Sequence, residues 1–226
     1  MKKLPKDLKI TLEQVERHLK SGKTSNPRLT FSEGWTYEQA YDILTHAYRI
    51  EVEKRHMEFL YTNDLCNHLE DIAKWMTGGN GLGLALMGDV GNGKTTMMRA
   101  LRGAVSLAGF EDHGETIGMK MIDSNSVTRL CRNDYEQFYK FCNTKFLAVD
   151  DIGREPVEVK DYGTVLNPII ELIQYRYEKQ LPLVISTNLD PAMMKDRYGA
   201  RITDRMKEMM HIVIFEEGSY RKEVLS

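Results

Sequence analysis

Gly88-Asp89-Val90-Gly91-Asn92-Gly93-Lys94-Thr95 spells G-x-x-x-x-G-K-T, the pattern of a phosphate-binding loop. The run before it, Leu82-Gly83-Leu84-Ala85-Leu86-Met87, is apolar and of strand length. The run behind it, Thr96-Met97-Met98-Arg99-Ala100-Leu101-Arg102, has helix-forming composition. The glycines therefore fall between a buried strand and a helix N-terminus. A chance match in a Gly-rich turn would lack that setting. Glycine lets the backbone wrap closely around a phosphate, and the N–H groups with the helix N-terminus turn positive charge inward. Gly88, Asp89, Val90, Gly91, Asn92, Gly93 and Thr96 are expected to form the cradle. Lys94, read as a surface-loop cation, is expected to reach the β- and γ-phosphates, and the Thr95 hydroxyl to bind Mg²⁺.

Phe146-Leu147-Ala148-Val149-Asp150-Asp151 is the second signal. Consecutive apolar residues suit a strand buried on both faces of a parallel sheet, and such a strand delivers its terminal carboxylates to the ligand edge. Asp150 is expected to hold Mg²⁺ through water, and Asp151 to orient or polarise an attacking water. A strand that merely ends in a polar turn needs no metal, but the phosphate loop upstream favours the metal. Further strands are read at Ile117–Ile122, Pro182–Asn188 and Ile212–Phe215. They alternate with helices, which predicts an α/β fold: a five-stranded parallel sheet with helices on both faces.

The chain of 226 residues is long enough for one sizeable α/β core with a small appendage. Its net charge is −2, so bulk charge does not mark a nucleic-acid binder, and DNA binding needs a local basic patch or an assembly. The 3 cysteines are widely spaced and lack a C-x-x-C pair, which argues against a disulfide framework and a zinc site and for the cytoplasm. Met1-Lys2-Lys3-Leu4-Pro5-Lys6 carries charge without an apolar run behind it, unlike a signal peptide, and no stretch is long enough to span a membrane.

Residues 1–23 show a helical stripe of Leu8, Leu12, Val15 and Leu19. Thr36-Tyr37-Glu38-Gln39 has capping-box spacing and opens a helix through Tyr41, Leu44, Tyr48 and Val52 towards Phe59. Those tyrosines serve either as core or as a stacking surface. A helix over Asn63–Met76 stops at Gly78-Gly79-Asn80-Gly81, and the helix after the phosphate loop is expected to end near Leu107 with Gly109 as its cap. One helix is expected from Ser124 to Cys142. Its Arg129, Arg132 and Lys140 interleave with Tyr135, Phe138 and Tyr139, a mixture that suits single-stranded nucleic acid. A solvated face over a buried stripe explains the same residues. Asn167-Pro168 and Asp190-Pro191 are helix starts, and a helix resumes at Arg201–Met210.

The ordered set of motifs resembles the AAA+ ATPases, and within them the bacterial replicative helicase loaders and transposition helper ATPases of the DnaC/IstB type. The resemblance covers about residues 70–225. It rests on the phosphate loop, on F-L-A-V-D-D-I-G, S-T-N-L and Y-G-A-R-I-T-D-R-M, and on the terminal S-Y-R. It implies a three-layer AAA+ domain over residues 71–226 without a separate lid. A small helical region, residues 1–70, would stand before it, available to a partner. It further implies ATP and Mg²⁺ as ligands. Asn188 matches the sensor-1 polar group, Arg205 the arginine finger that reaches a neighbour's ATP, with Arg201 one turn earlier on the same face, and Arg221 the sensor-2 arginine. Many members carry Asp-Glu where this chain has Asp150-Asp151. Aspartate is one methylene shorter, which points to slow hydrolysis, suited to a switch.

The leading reading is an ATP-hydrolysing loader that works as a homo-oligomer on single-stranded DNA and a replicative helicase in DNA replication. A transposition helper would bind duplex DNA and a transposase instead. A small-molecule kinase needs a lid and an acceptor pocket, and an ATP-binding module without turnover would fit Asp151.

Overall fold

The apolar runs condense into one sheet, and the amphipathic segments cover its two faces. The computed structural model describes residues 35–78, 81–108, 111–112, 115–161 and 164–215. Along the chain come α1 (Tyr37–Glu53), α2 (Asn63–Met76), β1 (Gly83–Gly88) and α3 (Lys94–Ala108). A short hairpin follows, β2 (Glu111–Asp112) with β3 (Glu115–Thr116), then β4 (Lys120–Asp123), α4 (Ser124–Asn133) and α5 (Tyr135–Cys142). β5 (Leu147–Ile152) leads into a second hairpin, β6 (Val159–Asp161) with β7 (Thr164–Leu166), and into α6 (Pro168–Glu178). β8 (Leu183–Thr187), α7 (Pro191–Tyr198), α8 (Ala200–Met209) and β9 (Met210–Phe215) close the described part.

The main sheet has 5 strands in the order β4-β5-β8-β1-β9, and every pairing is parallel. This is the expected α/β architecture. Side chains alternate along a strand, so β1 serves two cores. Leu84 and Leu86 join Leu44, Leu69, Met97, Leu101, Val213 and Phe215 under α1, α2 and α3. Ala85 and Met87 join Val127, Phe138, Val149, Leu172, Ile185 and Ile202 under the helices of the opposite face. The result is three layers.

α1 and α2 do not form a separate appendage. Ala40, Leu44, Leu65 and Leu69 are buried in the same cluster as β1 and α3. From residue 35 onward, this segment packs into the core beneath β1 and α3. The stripe of Leu8, Leu12, Val15 and Leu19, the Gly109 cap and Arg221 lie outside the described residues.

Local signals held where the chemistry was local. Thr36 and Gln39 make the reciprocal capping box (2.9 and 3.3 Å). The Asp190 side chain caps α7 through Met193 N–H, with Pro191 at the first turn. Three expectations need correction. The helix expected over Ser124–Cys142 breaks at Asp134 (φ −155°), whose side chain caps α5 by accepting from Gln137 N–H at 2.9 Å. The helix expected to run towards Phe59 stops at Glu53, and the chain turns at His56 (φ 57°). Asn167 makes no side-chain cap; its own N–H is met by Glu171 Oε1.

Arg176 is fully buried in α6. Its guanidinium donates to the carbonyls of Cys142, Thr144, Lys145 and Pro182, so it staples the approaches to β5 and β8. Burial away from any carboxylate lowers its pKa to about 9.

Candidate functional site

The site forms where the C-terminal ends of β1, β5 and β8 meet the N-terminus of α3. β1 ends at Gly88 with φ 136°, where a side chain would collide with the Phe215 carbonyl. Only glycine admits that approach. Gly91 and Gly93 also take positive φ, 92° and 91°, and curl the loop inward.

Lys94 is not a surface cation: it is only 5% exposed. Its ammonium donates to Gly88 O (2.7 Å), Asp89 O (2.6 Å) and Asn92 Oδ1 (2.9 Å). Burial lowers its pKa, and the charges of Asp151, Asp89 and Asp150 push back. The same Asn92 amide donates to Phe215 O at 2.7 Å. The lysine, the loop and the end of β9 are therefore one hydrogen-bonded unit. His68 extends it, stacking on Phe215 (centroids 4.0 Å apart) with Nε2 3.0 Å from Ile214 O. Burial holds the His68 pKa below its usual value.

Across the loop, Thr95 Oγ1 donates to Asp150 Oδ1 at 3.1 Å, and Ser186 Oγ donates to the same oxygen at 2.5 Å. With its proton on Asp150, Thr95 keeps oxygen lone pairs for a cation. A hydroxyl beside a carboxylate is the hard-oxygen set that suits Mg²⁺. Among the described residues, no three His, Cys, Asp or Glu side chains gather as a metal site. An ion here would take its remaining ligands from phosphate and water, the usual habit of Mg²⁺.

β5 bulges after Val149, where its register with β8 shifts. The bulge places Asp151 in the left-handed region at φ 57°. Asp151 N–H donates to Ser186 Oγ (2.8 Å), and its carbonyl accepts from Ser124 Oγ (2.7 Å). Its carboxylate pairs with Arg154 Nη1 at 2.9 Å. Just beyond, buried Glu155 accepts from Gly153 N–H (2.8 Å) and Tyr198 O–H (2.5 Å), tying the end of β5 to α7. Burial, then the bond to Glu155, raises the Tyr198 pKa.

Lys94, Asn92, Thr95, Asp150, Asp151 and Arg154 line one cavity of about 580 Å³, a size that suits a small ligand. Gly91, Asn92, Gly93, Lys94, Thr95 and Thr96 form its phosphate end, and Asp150, Asp151 and Asn188 its far edge. The opposite wall is apolar: Tyr48 and Val52 from α1, Met57, Phe59 and Leu60 from the connecting loop, and Leu65 from α2. Arg55 and Glu58 sit on the same side. Such a cavity offers one polar, charged end and one apolar end.

The structure thus brings together Gly91 to Thr96, Asp150, Asp151 and Asn188, with Gly88 and the Asp89 carbonyl bonding Lys94 at the rim. Arg201 and Arg205 are not among the cavity residues. Arg201 is exposed on α8. Arg205 is 13% exposed, lies over the Tyr177 ring (5.0 Å) and pairs with Glu178 at 3.6 Å. Sequence reasoning missed Ser124, Ser186, Arg154, Arg55 and the whole apolar wall. The wall had one signal, the apolar loop Met57–Tyr61 between two helices.

The tyrosines of α5 are engaged within the chain. Tyr135 O–H donates to Glu171 at 2.9 Å, Tyr139 meets Tyr175 edge-on at 4.8 Å, and Lys140 pairs with Glu136. No helix among the described residues is long and apolar enough to cross a membrane.

Strand, glycine loop and helix N-terminus meet here in the arrangement that the G-x-x-x-x-G-K-T pattern predicts. No protein-family profile matches the chain. No curated protein sequence matches it either. Solved structures do. The DnaC helicase loader superposes with a TM-score of 0.56 at 22% identity, covering 70% of this chain and 94% of that one. DnaI gives 0.57 at 17% identity, covering 78% and 93%. The replication initiator DnaA bound to AMPPCP and single-stranded DNA gives 0.52 at 14% identity, covering 71% and 49%. The fold is therefore the AAA+ fold of DnaC-type ATPases.

Proposed function

We propose that the protein binds ATP with Mg²⁺, hydrolyses it slowly, and acts in DNA replication as a helicase-loader-like switch. One observation carries the reading. The phosphate loop, the Thr95–Asp150 pair and an apolar wall line the same cavity. Lys94 exchanges its loop oxygens for the β- and γ-phosphates. Thr95, and Asp150 through water, would hold Mg²⁺, which would supply positive charge against the phosphates. Asp151 orients the attacking water, and Asn188 meets the γ-phosphate.

The superposition on DnaC and DnaI supports a replicative helicase as partner, and that on DnaA with single-stranded DNA supports DNA as ligand. In the homo-oligomer we propose, Arg205 leaves Tyr177 and reaches the neighbour's ATP, with Arg201 beside it on α8. Arg221 keeps the sensor-2 role that the resemblance implies.

The test is phosphate release with and without single-stranded DNA, on the parent and on mixed variants. Lys94→Ala has a dead pocket and an intact Arg205; Arg205→Ala has the reverse. Each alone is inactive, and mixing restores part of the activity if Arg205 works between subunits. No ATP turnover in the parent would refute the enzyme reading. No recovery on mixing would refute the shared site.

A further inference from the structure

Asp151 is fixed in two independent ways. Its backbone is pinned by Ser186 and Ser124, which together hold the left-handed conformation inside the bulge. Asp tolerates that conformation better than most residues. Neither bond involves the carboxylate. That group is held by Arg154, three residues on, whose Nη1 lies 2.9 Å from Oδ2. Arg154 is 67% exposed and Asp151 32%, and both line the nucleotide cavity. The pair therefore sits at the rim, between the phosphate end and solvent.

We infer that Arg154 is a positioning residue that keeps Asp151 in a resting pose and limits turnover. This rests on the reading of the cavity as an ATPase site. A carboxylate orients water by accepting its hydrogen bond, which takes a lone pair turned towards the reacting phosphate. The guanidinium occupies Oδ2 and draws the carboxylate to the rim. Aspartate has little reach to serve both partners at once. An exposed pair is weak, so the resting pose is easily left, as a switch requires. Arg154 touches no reacting atom in this role; it acts through Asp151. Because the backbone of Asp151 is pinned elsewhere, removing Arg154 frees the side chain alone.

The experiment measures steady-state phosphate release and fluorescent-nucleotide affinity for the parent, Arg154→Ala and Arg154→Lys. An exposed pair is worth at most ~1 kcal/mol, so Arg154→Ala raises kcat by up to about fivefold. ATP affinity stays within about twofold, because the pair is not a phosphate ligand. Arg154→Lys keeps the cation and remains near the parent. An unchanged or lower kcat in Arg154→Ala overturns the inference. So does an equal rise in Arg154→Lys, or an affinity change larger than the change in kcat. No turnover in the parent overturns the ATPase reading and this inference together; an active parent with an unaltered Arg154→Ala variant overturns this inference alone.

Discussion

Replacing Lys94 by methionine keeps the side chain's stem and removes its ammonium. That group has one task in the structure and a second, larger one in the proposed function. In the present conformation it donates to Gly88 O, Asp89 O and Asn92 Oδ1 at 2.6–2.9 Å. Hydrogen bonds to a charged group contribute about 1.5–3 kcal/mol each, so their sum is sizeable. Two effects offset it. Burial already opposes the charge, as the lowered pKa shows, and Asn92, one of the three acceptors, borders a cavity that water can enter. The remaining loss is about 1–2 kcal/mol, or roughly 2–8 °C in Tm for a chain of this size. Nucleotide binding suffers more. Two charge-assisted bonds to phosphate are worth at least ~3 kcal/mol, which weakens Kd by about a hundredfold or more. Calorimetry gives the first quantity and fluorescent-nucleotide titration the second. A folded variant whose Kd moves less than about tenfold refutes the claim that Lys94 turns from its loop to the phosphates. An unchanged Tm refutes the claim that it organises the loop.

Other perturbations separate the remaining roles. Asp150→Asn still accepts from Thr95 and Ser186, so folding is spared, while the tightening of ATP binding by Mg²⁺ falls by roughly tenfold or more; titrations with Mg²⁺ and with chelator measure the difference. Arg176→Met leaves several buried carbonyls unpaired and lowers stability by about 3–5 kcal/mol; urea unfolding tests this, and a loss under about 1 kcal/mol would show the staple to be dispensable. Burial depresses the His68 pKa, so the unfolded chain binds the proton more readily. Its contribution is complete above its unfolded value of 6.5 and shrinks as pH falls below it. Between pH 7.5 and 5.5, Tm should therefore fall more steeply for the parent than for His68→Gln, and parallel slopes would count against a buried neutral imidazole.

The phosphate end of the cavity was legible because its chemistry is contiguous. Gly88 to Thr96 are consecutive, and the apolar run before Asp150 and Asp151 announces a buried strand that must end at the ligand edge. Tertiary pairing hid the rest. Ser186 meets Asp150 only because β8 lies beside β5. Ser124 reaches Asp151 from the start of the helix after β4. The break at Asp134 was missed because one continuous apolar stripe can be laid over two helices when the capping aspartate sits on its polar side. The apolar wall was hardest to see. Tyr48 and Val52 read as an ordinary core stripe, and nothing in their spacing says that the stripe ends over a phosphate loop some forty positions downstream. Arg205 could be read for its charge but not for its neighbours, and the aromatic ring of Tyr177 holds it within the chain.

The shared core of α1, α2 and α3 bears on how this chain can be dissected. Truncation at residue 71, where sequence reasoning draws a boundary, would strip the cover from Leu84, Leu86, Met97 and Leu101. It would also remove Tyr48, Val52, Phe59 and Leu65, one side of the ligand's enclosure. The shortened piece would keep every residue of the G-x-x-x-x-G-K-T signature and yet lack the apolar wall that faces it. Signature and autonomous unit do not coincide in this chain. The smallest fragment that retains the binding chamber intact has to begin before Tyr37.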